Sequence, residues 1–241
     1  MNHKLNEKVN IGSDLSFDLF FDNDNNLLHR PWIGKDFVQT KSRLYVLGES
    51  HYKWGSSETI EEAVNDKDFT RSIILNHALF HLSDWNKKGK VGRIFRNVER
   101  CITGKLSIET KTREKIWEQV AYSNLVSQPM LSINHRPNHQ DYYEGWKSHF
   151  SIFEQTRPKM VLVLGLEWRK MKAFFKVLEN YNHSPLIYEP KIGRTHPKHC
   201  EINLTEEYMT SVLFIQHPSS YFSWEKWAKF YANRSSVTLK L

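Results

Sequence analysis

Leu44-Tyr45-Val46-Leu47-Gly48-Glu49-Ser50-His51-Tyr52 decides how this chain is read. An apolar run ends on a glycine and is followed at once by a carboxylate, a hydroxyl, an imidazole and a phenol. Such a run, β-branched and aromatic with weak alternation, is how a strand buried on both faces of a parallel sheet reads. Three further runs share the pattern. They are Val120-Ala121-Tyr122-Ser123 before Asn124, Met160-Val161-Leu162-Val163-Leu164 before Gly165, and Val212-Leu213-Phe214-Ile215 before Gln216-His217.

Helical periodicity fills the intervals. Apolar residues recur at three- and four-residue steps over 69–82, 142–155, 167–180 and 224–232, and the charged stretch 109–119 carries Ile116 and Trp117 late. Strand, helix and strand in this order imply right-handed crossovers. The expected fold is α/β, a three-layer α/β/α arrangement around a central, mainly parallel four-stranded sheet. Ligands of such sheets bind beyond the carboxyl ends of the strands. Gly48, Asn124, Gly165 and His217 are all expected there, on loop tips.

The 241 residues fit a single domain, 1–241. Residues 1–42 read as an N-terminal leader, with a solvated, turn-forming run at Asp22-Asn23-Asp24-Asn25-Asn26. Residues 55–118 read as a long helical insert between the first two motifs. Hydrophobic content of 39% excludes wholesale disorder, and a net charge of +7 suits a polyanionic partner. Two cysteines, Cys101 and Cys200, are too few for a disulfide framework and point to a reducing compartment. No stretch has the length of a signal core or a membrane span, so a cytoplasmic chain with no membrane partner is expected.

Taken in order, Gly48-Glu49-Ser50-His51-Tyr52, Ser123-Asn124-Leu125-Val126, Arg157-Pro158-Lys159-Met160-Val161-Leu162-Val163-Leu164-Gly165 and His217-Pro218-Ser219-Ser220-Tyr221 resemble the motifs of the uracil-DNA glycosylase superfamily. The corresponding family motifs read G-Q-D-P-Y or G-E-A-P-G, a strand bearing a base-reading Asn, P-K-V-I-V-A-L-G, and H-P-S. The resemblance spans about Arg43 to Tyr231, and its specific content is the ordered quartet.

It implies a glycosylase that flips a base out of DNA and hydrolyses its N-glycosidic bond, uracil by default. His217 would be the neutral donor to charge developing on the base carbonyl; the plainer alternative is a loop histidine that caps a turn. Asn124 would read the base edge, against the alternative of an Asn that only ends a strand. Glu49 would orient water, steady the cationic sugar or touch the base, or else be satisfied by backbone N–H groups. Tyr52 would stand against C5 of the base, with Gly48 and Ser50 beside it. Ser219 would bond a phosphate, and Tyr221 or Phe222 would fill the gap left by the flipped nucleotide. The departures are Ser50, where one branch has a water-associated Asp, and His51, where the family has Pro.

No lysine lies in the four motifs at a strand end, so no Schiff base is expected, and neither is a cofactor. His196-Pro197-Lys198-His199-Cys200 has metal-ligand residue types without a matching second half, so no metal site is expected. Arg93, Arg96 and Arg100 fall on one helix face, either facing phosphate or solvated. The partner would be DNA, double- or single-stranded, and the protein a monomer. Three rivals stay open. One is a glycosylase for another or modified pyrimidine, prompted by Ser50, His51 and the insert. Another is a catalytically silent DNA-binding module. A small-molecule hydrolase or transferase is disfavoured, because G-x-S-x-G and a P-loop are missing.

Overall fold

In the computed structural model, residues 12–52, 65–78, 90–130, 134–219 and 221–241 are described, Lys90 and Val91 by backbone alone. Seven strands make one mixed sheet: β1 (Trp32–Ile33), β2 (Leu44–Tyr52), β3 (Val120–Met130), β4 (Met160–Leu164), β5 (Ile187–Tyr188), β6 (Lys198–Thr205) and β7 (Tyr208–Ile215), in the order β1-β3-β2-β4-β7-β6-β5. The four apolar runs are the middle of this sheet, β3-β2-β4-β7, and every neighbouring pair among them is parallel. The sheet is wider than the expected four strands. Antiparallel β1 borders β3, and antiparallel β6 and β5 extend the other side.

Seven helices are described: α1 (Asp18–Asp22), α2 (Phe69–Ala78), α3 (Lys90–Thr103), α4 (Thr110–Gln119), α5 (His139–Thr156), α6 (Trp168–Leu178) and α7 (Trp224–Arg234). Two apolar cores lie on opposite faces of the sheet. One joins Tyr45, Leu47 and Val161 to Trp146, Phe150 and Phe174 of α5 and α6. The other joins Val46, Leu162 and Leu213 to Ile74, Phe95, Trp117 and Trp227 of α2, α3, α4 and α7. Full burial of one such side chain contributes about 1.5–3 kcal/mol. α5 opens on a capping box, Asn138 accepting from Asp141 N–H while the Asp141 carboxylate accepts from Asn138 N–H, so its start is locally encoded.

Two expectations are corrected. The described part of the leader belongs to the core: Phe21, Trp32, Ile33 and Phe37 are at most 1% exposed, and the Trp32 indole donates to Trp117 O at 2.7 Å. Buried Arg71 ties the segment down through the Asp18 carboxylate and the Pro31 carbonyl. Turn residues between these apolar positions hide them from a periodicity reading. The insert, in turn, supplies α2, α3 and α4, which with α7 cover one face. Its residues 55–64 and 79–89, with the end of the helix expected over 69–82, lie outside the described residues.

The second correction concerns the site. β4 accompanies β2 only as far as Leu47↔Val163, whereas the β2–β3 ladder runs on through Gly48↔Asn124, Ser50↔Val126 and Tyr52↔Met130. Gly48, Glu49, Ser50, Tyr52 and Asn124 therefore stand on a two-stranded extension, not on loop tips. Parallel neighbours that continue together keep satisfying each other's backbone groups. Gly165 and His217 do follow the ends of β4 and β7.

Candidate active site

Alternation along β2 sends Gly48 and Glu49 to opposite faces of the sheet. A Cβ on Gly48 would lie 2.1 Å from Asn124 Oδ1 and 2.7 Å from the Tyr122 hydroxyl, so only glycine lets these groups approach. Tyr122 donates to Asn124 Oδ1 at 3.0 Å, and Asn124 Nδ2 lies 3.0 Å from His51 Nε2. The same His51 nitrogen is 3.1 Å from Thr70 Oγ1 of α2. Burial, with the neighbouring His29, pushes the His51 imidazole down to about 3, so it is neutral. The Ser50 hydroxyl oxygen is buried and has no hydrogen-bond partner among the described residues.

Glu49 lies on the face of α5 and α6. It is 5% exposed, accepts from the Tyr142 hydroxyl at 3.0 Å and pairs with the Arg136 guanidinium at 3.0 Å. Arg136 also donates to the Tyr52 hydroxyl, which itself lies 3.5 Å from Glu49. A register shift between Ser50 and Tyr52 brings Tyr52 to this group while His51 joins Asn124. Burial works to raise the Glu49 carboxyl. Lys170, Arg136, His217 and the Tyr142 hydrogen bond outweigh it and hold Glu49 below the usual range, so the carboxylate is ionised.

His217 reaches the same group from the end of β7. Gly165, at φ +92°, carries the turn after β4, and the place of its missing Cβ is 3.5 Å from His217 Cβ and 3.2 Å from Lys170 Nζ. Burial chiefly, with Lys170 and Arg136 against the opposing pull of Glu49, lowers the imidazole to about 4. His217 is therefore neutral near pH 7. Its Nδ1 accepts from the Ser219 backbone N–H at 3.3 Å and lies 2.9 Å from Ser219 Oγ. A backbone N–H can only donate, so the proton sits on Nε2. From α3, Asn97 Nδ2 donates to the Pro218 carbonyl at 2.8 Å and anchors the loop to the insert.

The expected residues thus form two groups. Glu49 and Tyr52 meet on the α5–α6 side within electrostatic reach of His217, while Gly48 and Asn124 lie with His51 on the other. The hydrogen-bond partners of Asn124 and His217 do not overlap. Ser219 serves the imidazole directly. Of the two candidate wedges, Phe222 is stacked on Trp227, rings 5.7 Å apart and 9° from parallel. Tyr221 is 92% exposed at φ +52°, with the Arg194 guanidinium over its ring.

Lys170, Arg136 and Tyr142 are the residues that the sequence reading missed; Lys170 lies outside the four motifs, on α6. Lys170 Nζ is fully buried and donates to Leu164 O, the last carbonyl of β4, at 2.7 Å. Tyr142 and Lys170 sit inside ordinary helical periodicity, which carries no signal of their role. In the His196–Cys200 stretch, His199 faces Glu189, which Arg234 also holds, and Cys200 is buried in the core. Among the described residues no group of three or more His, Cys, Asp or Glu is arranged to hold a metal. No described helix is long and apolar enough to cross a membrane. Neither the models of known protein families nor the curated proteins give a match to this chain.

Proposed function

We propose that the protein is a DNA glycosylase with a uracil-DNA glycosylase-like fold, which hydrolyses the N-glycosidic bond of a flipped base without a cofactor. The observation that carries this reading is the placement of two buried groups on the strands that border β4: the Glu49 carboxylate on β2, held by Tyr142 and Arg136, and the His217 imidazole after β7, its Nδ1 engaged by the Ser219 N–H. Breaking a glycosidic bond leaves a cationic sugar and an anionic base. A buried carboxylate steadies the first, and an imidazole Nε2–H donates to the second. Water then bonds through its oxygen to the anomeric carbon, and the proton it gives up ends on the released base anion.

DNA as partner is supported by the net charge of +7 and by the crowding of Arg93, Arg96, Arg100 and Arg113 around α3 and α4. Tyr221, exposed and beside Arg194, suits the space vacated by a flipped nucleotide. Asn124 enters as base reader through its remaining capacity. Each polar atom of its carboxamide has one partner in the protein and keeps one further place, an acceptor beside a donor.

Uracil is the first substrate to test. His51 and the Asn97 anchor place the insert against both halves of the site and favour a modified pyrimidine as the second. One observation favours a catalytically silent DNA-binding module: Asn124 and His217 belong to separate hydrogen-bond groups.

Duplexes bearing uracil, hypoxanthine or modified cytosines, incubated with the protein and then treated with alkali, will break where a base is lost. His217→Ala is expected to abolish breakage while leaving DNA affinity within a factor of about two, because the charge it meets develops only at the transition state. Salt-sensitive binding without breakage on any duplex sinks the catalytic reading and leaves the silent module. Absence of binding at low salt sinks both.

A further inference from the structure

Lys170 breaks the local rules of its helix. It occupies the third position of α6, at the positive end of the helix dipole, where a cation is disfavoured. It is also 0% exposed, although an ammonium is costly to bury. The preceding Glu167 accepts from the backbone N–H groups of Arg169 and Lys170, at 2.8 and 3.0 Å, and so caps the helix at its carboxylate. The ammonium turns back along the strand to Leu164 O, and the Trp146 indole fixes the residue by donating to its carbonyl at 3.0 Å. Nζ and the His217 ring carbon Cδ2 both lie within 3.7 Å of one point, the unfilled Cβ position of Gly165. Places where local preference is overridden in a buried polar cluster are where function is expected.

We propose that Lys170 is a positioning residue: its buried ammonium, packed against Gly165 and His217, is a second counter-charge of Glu49 behind the directly paired Arg136 and bars a second positive charge from the imidazole. The proposal rests on Glu49 and His217 being the reacting pair. The charged and titratable groups around Lys170 are Glu49 on β2, Glu167 at the cap of α6, Arg136 before α5 and His217 after β7, with Tyr142 of α5 bonded to Glu49. Burial lowers the amine to about 8, with Glu49 and Glu167 pulling upward and Arg136 downward. Among the charges around Glu49, Lys170 acts most strongly. Removing it frees His217 to take a proton and Glu49 to keep one.

The test is an NMR titration of the full chain, free of DNA, in wild type and in Lys170→Met and Lys170→Gln. The titration midpoints of His217 and Glu49 are expected to rise in both variants, and the pH at which base excision reaches its plateau to rise with them. Unmoved midpoints in a folded variant overturn the proposal. Should neither variant fold, labelled lysine in Glu49→Gln decides it: a Lys170 midpoint below that of the wild type supports it, because Glu49 pulls the amine upward, and an unmoved one overturns it. These readouts need no substrate, so they stand apart from the glycosylase reading. Moved midpoints with no excision on any duplex would remove the function and keep the charge arrangement, while excision with unmoved midpoints would do the reverse.

Discussion

Glu49→Gln keeps the shape of the side chain and its Tyr142 contact but removes the charge that faces Lys170 and Arg136. Excision in single-turnover assays is expected to fall by about 10²–10³-fold, the cost of losing one aligned electrostatic partner of a transition state. DNA affinity should hold. Loss of affinity equal to the loss of rate would place Glu49 in binding instead. Tyr221→Ala and Phe222→Ala separate two neighbours that the sequence presents as equals. The first should weaken binding to a damaged duplex and leave the melting temperature alone; the second should lower the melting temperature, since its ring is stacked on Trp227. The places of Glu49 and His217 in the fold were legible because each follows an apolar run with one residue between, Gly48 or Gln216. Lys170 was not, because it lies inside a helical repeat and only the turn at Gly165 brings its amine back to the strand end.

At the scale of elements, Asn97 of the insert donates to the Pro218 carbonyl in the loop that carries His217. Asn97→Ala should cost about 1 kcal/mol of stability and slow excision by roughly tenfold with KM unchanged, because a displaced His217 loses alignment more than affinity. A chemical denaturation series and steady-state kinetics measure the two effects. A raised KM with unchanged kcat would mean that the loop binds rather than aligns. β6 shows a signal that lay open: Cys200, Ile202 and Leu204 point inward while Glu201, Asn203 and Thr205 point out. This period of two marks a strand in a stretch whose His and Cys suggested metal ligands. The extension of β2 and β3 past β4 was not open to such reading. A glycine at the end of an apolar run looks like a strand end until the partner strand is known to continue beside it.

Across the whole molecule, burial keeps several imidazoles neutral: His51 near 3, His149 and His217 near 4, and His29 below its usual value. In the unfolded chain these groups take protons as pH falls through about 6.5. Between that pH and about 4 the unfolded state binds more protons than the native one, so stability rises with pH there. Glu49 and Glu99, both held below the ordinary carboxylate range, add to the loss at still lower pH. Urea melts at pH 7.5, 6, 5 and 4 should therefore show a falling midpoint, and a flat profile over this span would contradict the burial of these rings. What the sequence determined by itself is what periodicity and local chemistry encode: the parallel strands, most helices, and the residues that follow β4 and β7. Tertiary structure alone decided the rest. Which face a strand residue meets, how far two strands run together, and which buried charge stands opposite which carboxylate depend on neighbours distant in the chain. No local pattern carries them.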